Sequence, residues 1–273
     1  MFLQGFDRYS LSSALDSGDL ADVRFAVKPD IFPDQRATFA AHKTILALQS
    51  DVFKAMLYGG FAHEDRIVIT DLHPEGFRGI LRYFYSGRLE AETAFQAACT
   101  RTAAAKYLLP QLEMKCRTFI NSYMTPDDVC PFLDYIFTTG EEALATSATI
   151  MIVKGSRNVL SSETFRYCTE ATMKYVLKHA ANVSEAIVLE AVYAWSQEYA
   201  ERTQELRVDL RAVMLPLLPE LRFLALTPQE FVDGPNAWGI LTDAEARAIL
   251  SNIVKSGSMP MPAGFCNIRD ART

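Results

Sequence analysis

The chain has 273 residues, 49% of them hydrophobic, which excludes a disordered chain and leaves room for two cores. Its net charge of −6 is spread along the chain without a basic run, and with a pI near 5.3 this speaks against nucleic acid as a partner. The longest apolar runs, "TILAL" and "AVMLPLL", fall far short of the roughly 20 residues a membrane span needs, so no membrane partner is expected.

The opening "MFLQGFDRYSLSS" has no basic stretch followed by an apolar one, so no secretory signal is expected. Five cysteines are present, an odd number, and none are paired at zinc-ligand spacing. Reduced thiols in a cytosolic or nuclear protein, with no metal and no cofactor, are the expectation.

In chain order, Leu20–Val27 alternates, with Val23, Phe25 and Val27 on one face of a half-buried strand. "KPDIFPDQRA" reads as a hairpin loop and "ATFAA" as the return strand. "HKTILALQ" and "SDVFKAML" read as two short helices, the second capped by Ser50. After the loop "YGGFAHED" comes a short strand, "RIVIT". The next helix has Pro74 near its start, an apolar stripe of Phe77, Ile80, Leu81 and Phe84, and Gly87 as its stop. "ETAFQAACTRTAAAKYLL" and "PQLEMKCRTFINSYM" add two more helices. From Thr125 onward the strand signals fade. Thr125 and Pro126 open a helix, and Ser184 caps another, with Val183 and Val188 as its staple and Val188, Ala191, Trp195 and Tyr199 along one face. "ELRVDLRAVMLPLL", "TPQEFVDG" and "TDAEARAILSNIVK" extend the helical half. The Gly-, Pro- and Ser-rich segment 256–273 reads as a disordered tail. The fold class is α+β to about residue 122 and all-α from 123 to 255.

The stretch "FAAHKTILALQSDVFKAML" places His42, Lys43, Ser50 and Asp51 close together. A nucleophilic triad would need Ser50, His42 and an acid in hydrogen-bond reach with an oxyanion hole. Ser50 and Asp51 already serve a helix start, so the stretch reads as architecture. No catalytic residue is assigned, and no P-loop, metal cluster or G-x-S-x-G elbow is present.

"DVRFAV", "FAAHKTILALQSDVFKAML", "RIVITDLHPEGFRGILRYFYSGRL" and "AAAKYLLPQLEMKC" together resemble a BTB/POZ domain, a small sheet flanked by helices, over residues 1–122. "VLSSETFRYCTEAT", "NVSEAIVLEAVYAWSQEYA" and "LLPELRFLALTPQEFVDGPNAWGILTDAEARAIL" resemble an all-α BACK domain over residues 123–255. The pairing looks most like the subgroup with a PHR β-sandwich after BACK, and next like the kelch-repeat relatives. This resemblance implies a non-catalytic, homodimeric substrate adaptor that docks cullin-3 in a ubiquitin ligase. It implies a cytoplasmic location, with nuclear residence also open. The alternative is a dimeric scaffold that does not bind cullin-3.

The resemblance also implies site residues. Leu11, Ala14 and Leu15 would line an exchanged helix and strand at the dimer interface. Asp22 and Lys43 would form a partly buried charged pair at the dimer groove. Phe61 would fill a cullin pocket in a φ-x-E loop, where this chain departs by carrying His63 in the glutamate position and Glu64 one step later. Tyr107 would pack on the cullin. No substrate-binding module is recognisable beyond residue 255, so the substrate itself is not identified.

Overall fold

The computed structural model describes residues 11–59, 66–203 and 209–272. The chain divides after Met124 into two compact units.

Among the described residues of the first unit, three strands form one sheet in the order β2-β1-β3. The central strand is β1 (Val23–Val27). It pairs antiparallel with β2 (Ala37–Ala41), Phe25 opposite Phe39, and parallel with β3 (Arg66–Ile69), Phe25 opposite Ile67. The hairpin expected from the two prolines is therefore present, and β3 adds a second edge. Ala26 is buried along with Val23, Phe25 and Val27, because β1 is covered on both faces.

Among the described residues six helices accompany the sheet: α1 (Leu11–Ser17), α2 (Lys43–Gln49), α3 (Asp51–Tyr58), α4 (Pro74–Ser86), α5 (Ala94–Lys106) and α6 (Pro110–Tyr123). The Ser50 hydroxyl accepts from the Phe53 amide, so α3 starts where its cap dictates. Helix α4 has Pro74 in its first turn and ends at Gly87 with φ 72°, and its stripe of Phe77, Ile80, Leu81 and Phe84 is buried. Gly76 and Gly79 let α5 approach closely: an added Cβ would lie 2.3 Å from the Cys99 carbonyl oxygen and 2.0 Å from Thr100 Oγ1. The core centres on Phe25, Phe53, Phe77, Phe84 and Tyr107.

The second unit is helical: α7 (Val129–Thr138), α8 (Thr146–Leu160), α9 (Glu163–Tyr167), α10 (Glu170–His179), α11 (Glu185–Arg202), α12 (Leu210–Met214), α13 (Pro228–Asp233) and α14 (Asp243–Val254). Thr125 does cap a helical start, but of a 3₁₀ turn, in a capping box with Asp128. The helix expected over "ELRVDLRAVMLPLL" has residues 205–208 outside the described residues; its described part stops at Met214 and continues as a 3₁₀ stretch, since Pro216 and Pro219 lack the amides an α-helix needs. Trp195 is buried and its Nε1–H donates to the Cys168 carbonyl at 2.9 Å.

Two expectations need correction. Ser184 stands at the N-cap of α11, but its side chain makes no capping bond; Val183 and Val188 are both buried, as a staple requires. Segment 256–272 is not a disordered tail. Phe265 packs on Phe223 with ring centres 5.6 Å apart, and Asn252 donates to the Met259 carbonyl and accepts from the Gly257 amide. Arg272 is buried in an ion pair with Glu185. Composition alone hid this, because the anchors are side chains reaching distant carbonyls and carboxylates.

Candidate protein-interaction surface

The residues expected at a dimer surface gather around α1 and the start of α2. Leu11 is 55% exposed, Ala14 is half-buried, and Leu15 packs onto the core. Arg82 of α4 reaches Asp16 of α1 at 3.3 Å and Glu90 at 3.1 Å, pinning α1 by its polar side. Helix α1 therefore keeps an apolar residue facing outward while the rest of its stripe is seated.

Asp22 and Lys43 are brought together in the single chain. Asp22 is exposed, and its Oδ1 accepts from the Lys43 backbone amide at 2.7 Å. It thus satisfies a donor in the first turn of α2, a position where a carboxylate also suits the helix dipole.

His42 is held on both ring nitrogens. The Tyr85 hydroxyl oxygen accepts from the His42 amide at 2.9 Å and lies 2.7 Å from Nδ1. Its own proton then points to Nδ1, which leaves Nε2–H to donate to the Asp19 carbonyl at 2.7 Å. Burial pushes the Tyr85 phenol pKa up; the bond from the His42 backbone works against this, and the Asp22 charge adds to it. The histidine is spent on tying the β1 approach to α4. Ser50 is spent on its cap.

Of the residues expected at a cullin surface, Phe61, His63 and Glu64 lie outside the described residues. Tyr107 does not present a surface. It is 1% exposed and stacks on Phe53 with ring centres 4.5 Å apart. Its place at the end of α5 turns the ring inward, because α3 and α4 offer it an aromatic bed.

The next residue is the exposed one. Leu108 is 74% exposed with φ 56°. The Leu109 amide donates to the Ala104 carbonyl and the Leu108 amide to Ala105, a Schellman closure with leucine where glycine is usual. A leucine in that backbone region costs about 1–2 kcal/mol. Pro110 opens α6, and proline biases the residue before it, Leu109, away from the helical region, which marks a break near this turn in "YLLP". Tyr58, the last residue of α3, is also exposed, and Tyr107 ties the Leu108 turn to α3 through Phe53.

Among the described residues, no group of three or more His, Cys, Asp or Glu side chains could hold a metal ion. Among the same residues, no helix is long and apolar enough to cross a membrane.

Residues 11–124 match the BTB/POZ domain family. Human BTB/POZ domain-containing protein 6 is 32% identical over 235 residues, 84% of this chain and 43% of that protein. Human BTB/POZ domain-containing protein 3 is 29% identical over 235 residues, 84% of this chain and 44% of that protein. A zebrafish relative, BTB/POZ domain-containing protein 6-B, is 32% identical over 234 residues, 84% of this chain and 48% of that protein. These alignments are longer than the first unit and so run into the second. The chain spans less than half the length of these curated relatives. The solved BTB domain of zebrafish PATZ1 is 24% identical, with a TM-score of 0.33, covering 40% of this chain and 84% of that one. Residues 11–124 thus match the BTB/POZ domain, a kind of module that mediates protein–protein interaction.

Proposed function

We propose that the chain is a non-catalytic substrate adaptor of a cullin-3 ubiquitin ligase, homodimeric through its BTB/POZ unit, with a BACK domain as its second unit. The reading assigns no reaction, cofactor or metal to the chain itself, and it places the protein in the cytoplasm, with the nucleus also open. Its weight rests on one observation. The end of α3 and the α5–α6 turn, tied together by the Phe53–Tyr107 stack, present Tyr58 and Leu108 outward, and the segment leaving α3 carries Phe61 and Glu64. Exposed apolar anchors on a rigid frame are what a docking surface needs. Leu11 and the outward side of α1 support self-association, and a dimer would raise effective substrate concentration by avidity.

The test is a pull-down with the cullin-3 N-terminal domain, with light scattering for the dimer. The unsubstituted chain is expected to bind, and Phe61→Ala and Leu108→Glu each to weaken binding at least about tenfold. Absence of binding by the unsubstituted chain would leave a dimeric scaffold as the reading. Equal binding by Phe61→Ala would remove that anchor.

A further inference from the structure

We propose that the second unit contains a socket that recognises an extended peptide segment carrying arginine, and that residues 267–272 of this chain fill it as a releasable strap. The inference is independent of cullin docking, since every residue involved lies in the second unit.

The floor of the socket is Glu185, the first residue of α11, whose side chain is fully withdrawn from solvent. Its Oε2 accepts from Arg272 Nε at 2.9 Å, and its Oε1 accepts from Arg272 Nη2 at 3.3 Å. The Arg222 backbone amide also donates to Oε1, at 2.8 Å. The walls are two carbonyls: that of Leu177, which accepts from Nη1, and that of Glu220, which accepts from Nη2 at 2.8 Å. Carboxylate and carbonyls together engage all three guanidinium nitrogens. A lysine could supply the charge but not the planar fork.

The socket reads main chain as well as side chain. Val183 and Arg272 form an antiparallel bridge, and the Asn182 amide donates to the Arg272 carbonyl at 2.9 Å. The Arg222 guanidinium holds the carbonyls of Asp270 and Ala271 at 3.0 and 3.2 Å. These contacts ask for an extended backbone with arginine at one position and place no demand on the neighbouring side chains. They define the ligand class as an arginine-bearing peptide strand.

The strap has the features of a segment that opens locally. Residues 267–271 are exposed, and they link Arg272 to the next buried anchors, Phe265 and Cys266. Arg269 adds bonds to the carbonyls of Asn252 and Ile253 at the end of α14, and Ile268 of the strap stays 46% exposed. Segments with few buried apolar contacts sit at the low end of local stability. Release would strand a buried carboxylate whose cation has left, a state that strongly favours taking up another guanidinium.

Hydrogen exchange on the unmodified chain and peptide binding to a variant test this together. The Asn182 amide is expected to exchange at least about tenfold faster than the Val192 amide inside α11. Arg272→Ala is expected to bind a labelled peptide of residues 264–273 at least about tenfold more tightly than the unsubstituted chain does, because its socket is empty. Adding Glu185→Gln, or replacing the arginine that corresponds to Arg272 in the peptide by lysine, should abolish that gain. The proposal is overturned if Asn182 exchanges only with global unfolding, if folded Arg272→Ala fails to bind, or if the lysine peptide binds equally. Should Arg272→Ala fail to fold, Arg272→Lys carries the same assay. If neither folds, the strap is inseparable from the fold and the proposal falls.

Discussion

Replacing Tyr107 by phenylalanine removes one oxygen from the centre of the BTB/POZ core. The ring lies on Phe53 at 4.5 Å with an interplanar angle of 26°, and Phe77 is 6.4 Å away. Among the described residues the hydroxyl has no hydrogen-bond partner, and burial pushes its pKa upward. A buried polar group left unsatisfied costs about 1–3 kcal/mol. Tyr107→Phe is therefore expected to stabilise the first unit by about 1 kcal/mol, at the low end because the remaining ring is unchanged. Tyr107→Ala, which also forfeits the ring, is expected to cost about 3–5 kcal/mol. The readout must be chosen with care. Both tryptophans, Trp195 and Trp238, lie in the second unit, so urea unfolding of the first is followed by circular dichroism or tyrosine emission. A Tyr107→Phe chain destabilised by more than about 1 kcal/mol would show that the hydroxyl is bonded after all. Loss of cullin-3 binding in Tyr107→Phe at unchanged stability would restore Tyr107 as a contact residue.

Asp22→Ala removes the acceptor of the Lys43 amide, and since the carboxylate is exposed the expected loss is that of a helix cap, about 0.5–2 kcal/mol in a melt of the single chain. A loss near 3–5 kcal/mol measured on a dimer would instead show that association buries the charge. Gly76→Ala gains about 1 kcal/mol of helix propensity but drives a methyl into the Cys99 carbonyl, so a net destabilisation of about 1–3 kcal/mol is expected in the urea melt. Glu245 is held down to about 2 by its hydrogen bonds to Arg211, with the Thr242 capping bonds adding to them against the opposing effect of burial. A depressed carboxylate contributes stability that is full above its unfolded value of about 4.5 and is lost as pH falls toward 2. Tryptophan-monitored unfolding of the second unit should show that acid loss, up to about 3 kcal/mol, and Glu245→Gln should flatten the profile across that window.

Much of the first unit was legible in the sequence because its signals are local. Alternation set the inward face of β1, Ser50 set the start of α3, and Pro74 and Gly87 set the ends of α4. The four motifs between them carry the BTB/POZ likeness that the family match bears out. The candidate surface was legible only in part. The direction of the Tyr107 ring and the exposure of Leu108 depend on where α3 and α4 lie, which no local pattern encodes. Asp22 and Lys43 were expected to meet, and the Asp22 carboxylate does accept from the Lys43 backbone amide.

In the second unit the sequence by itself determined helix content and the helical starts after Thr125, Ser184, Thr227 and Thr242, because caps and prolines act within a few residues, while the starts of α8, α9 and α10 went unread. Only the tertiary structure decided the fate of segment 256–272. Its glycines and prolines forbid regular structure, yet Arg272 closes on Glu185, 87 positions away in the chain. Order there comes from long-range pairing of a guanidinium with a buried carboxylate, and composition carries no trace of that distance.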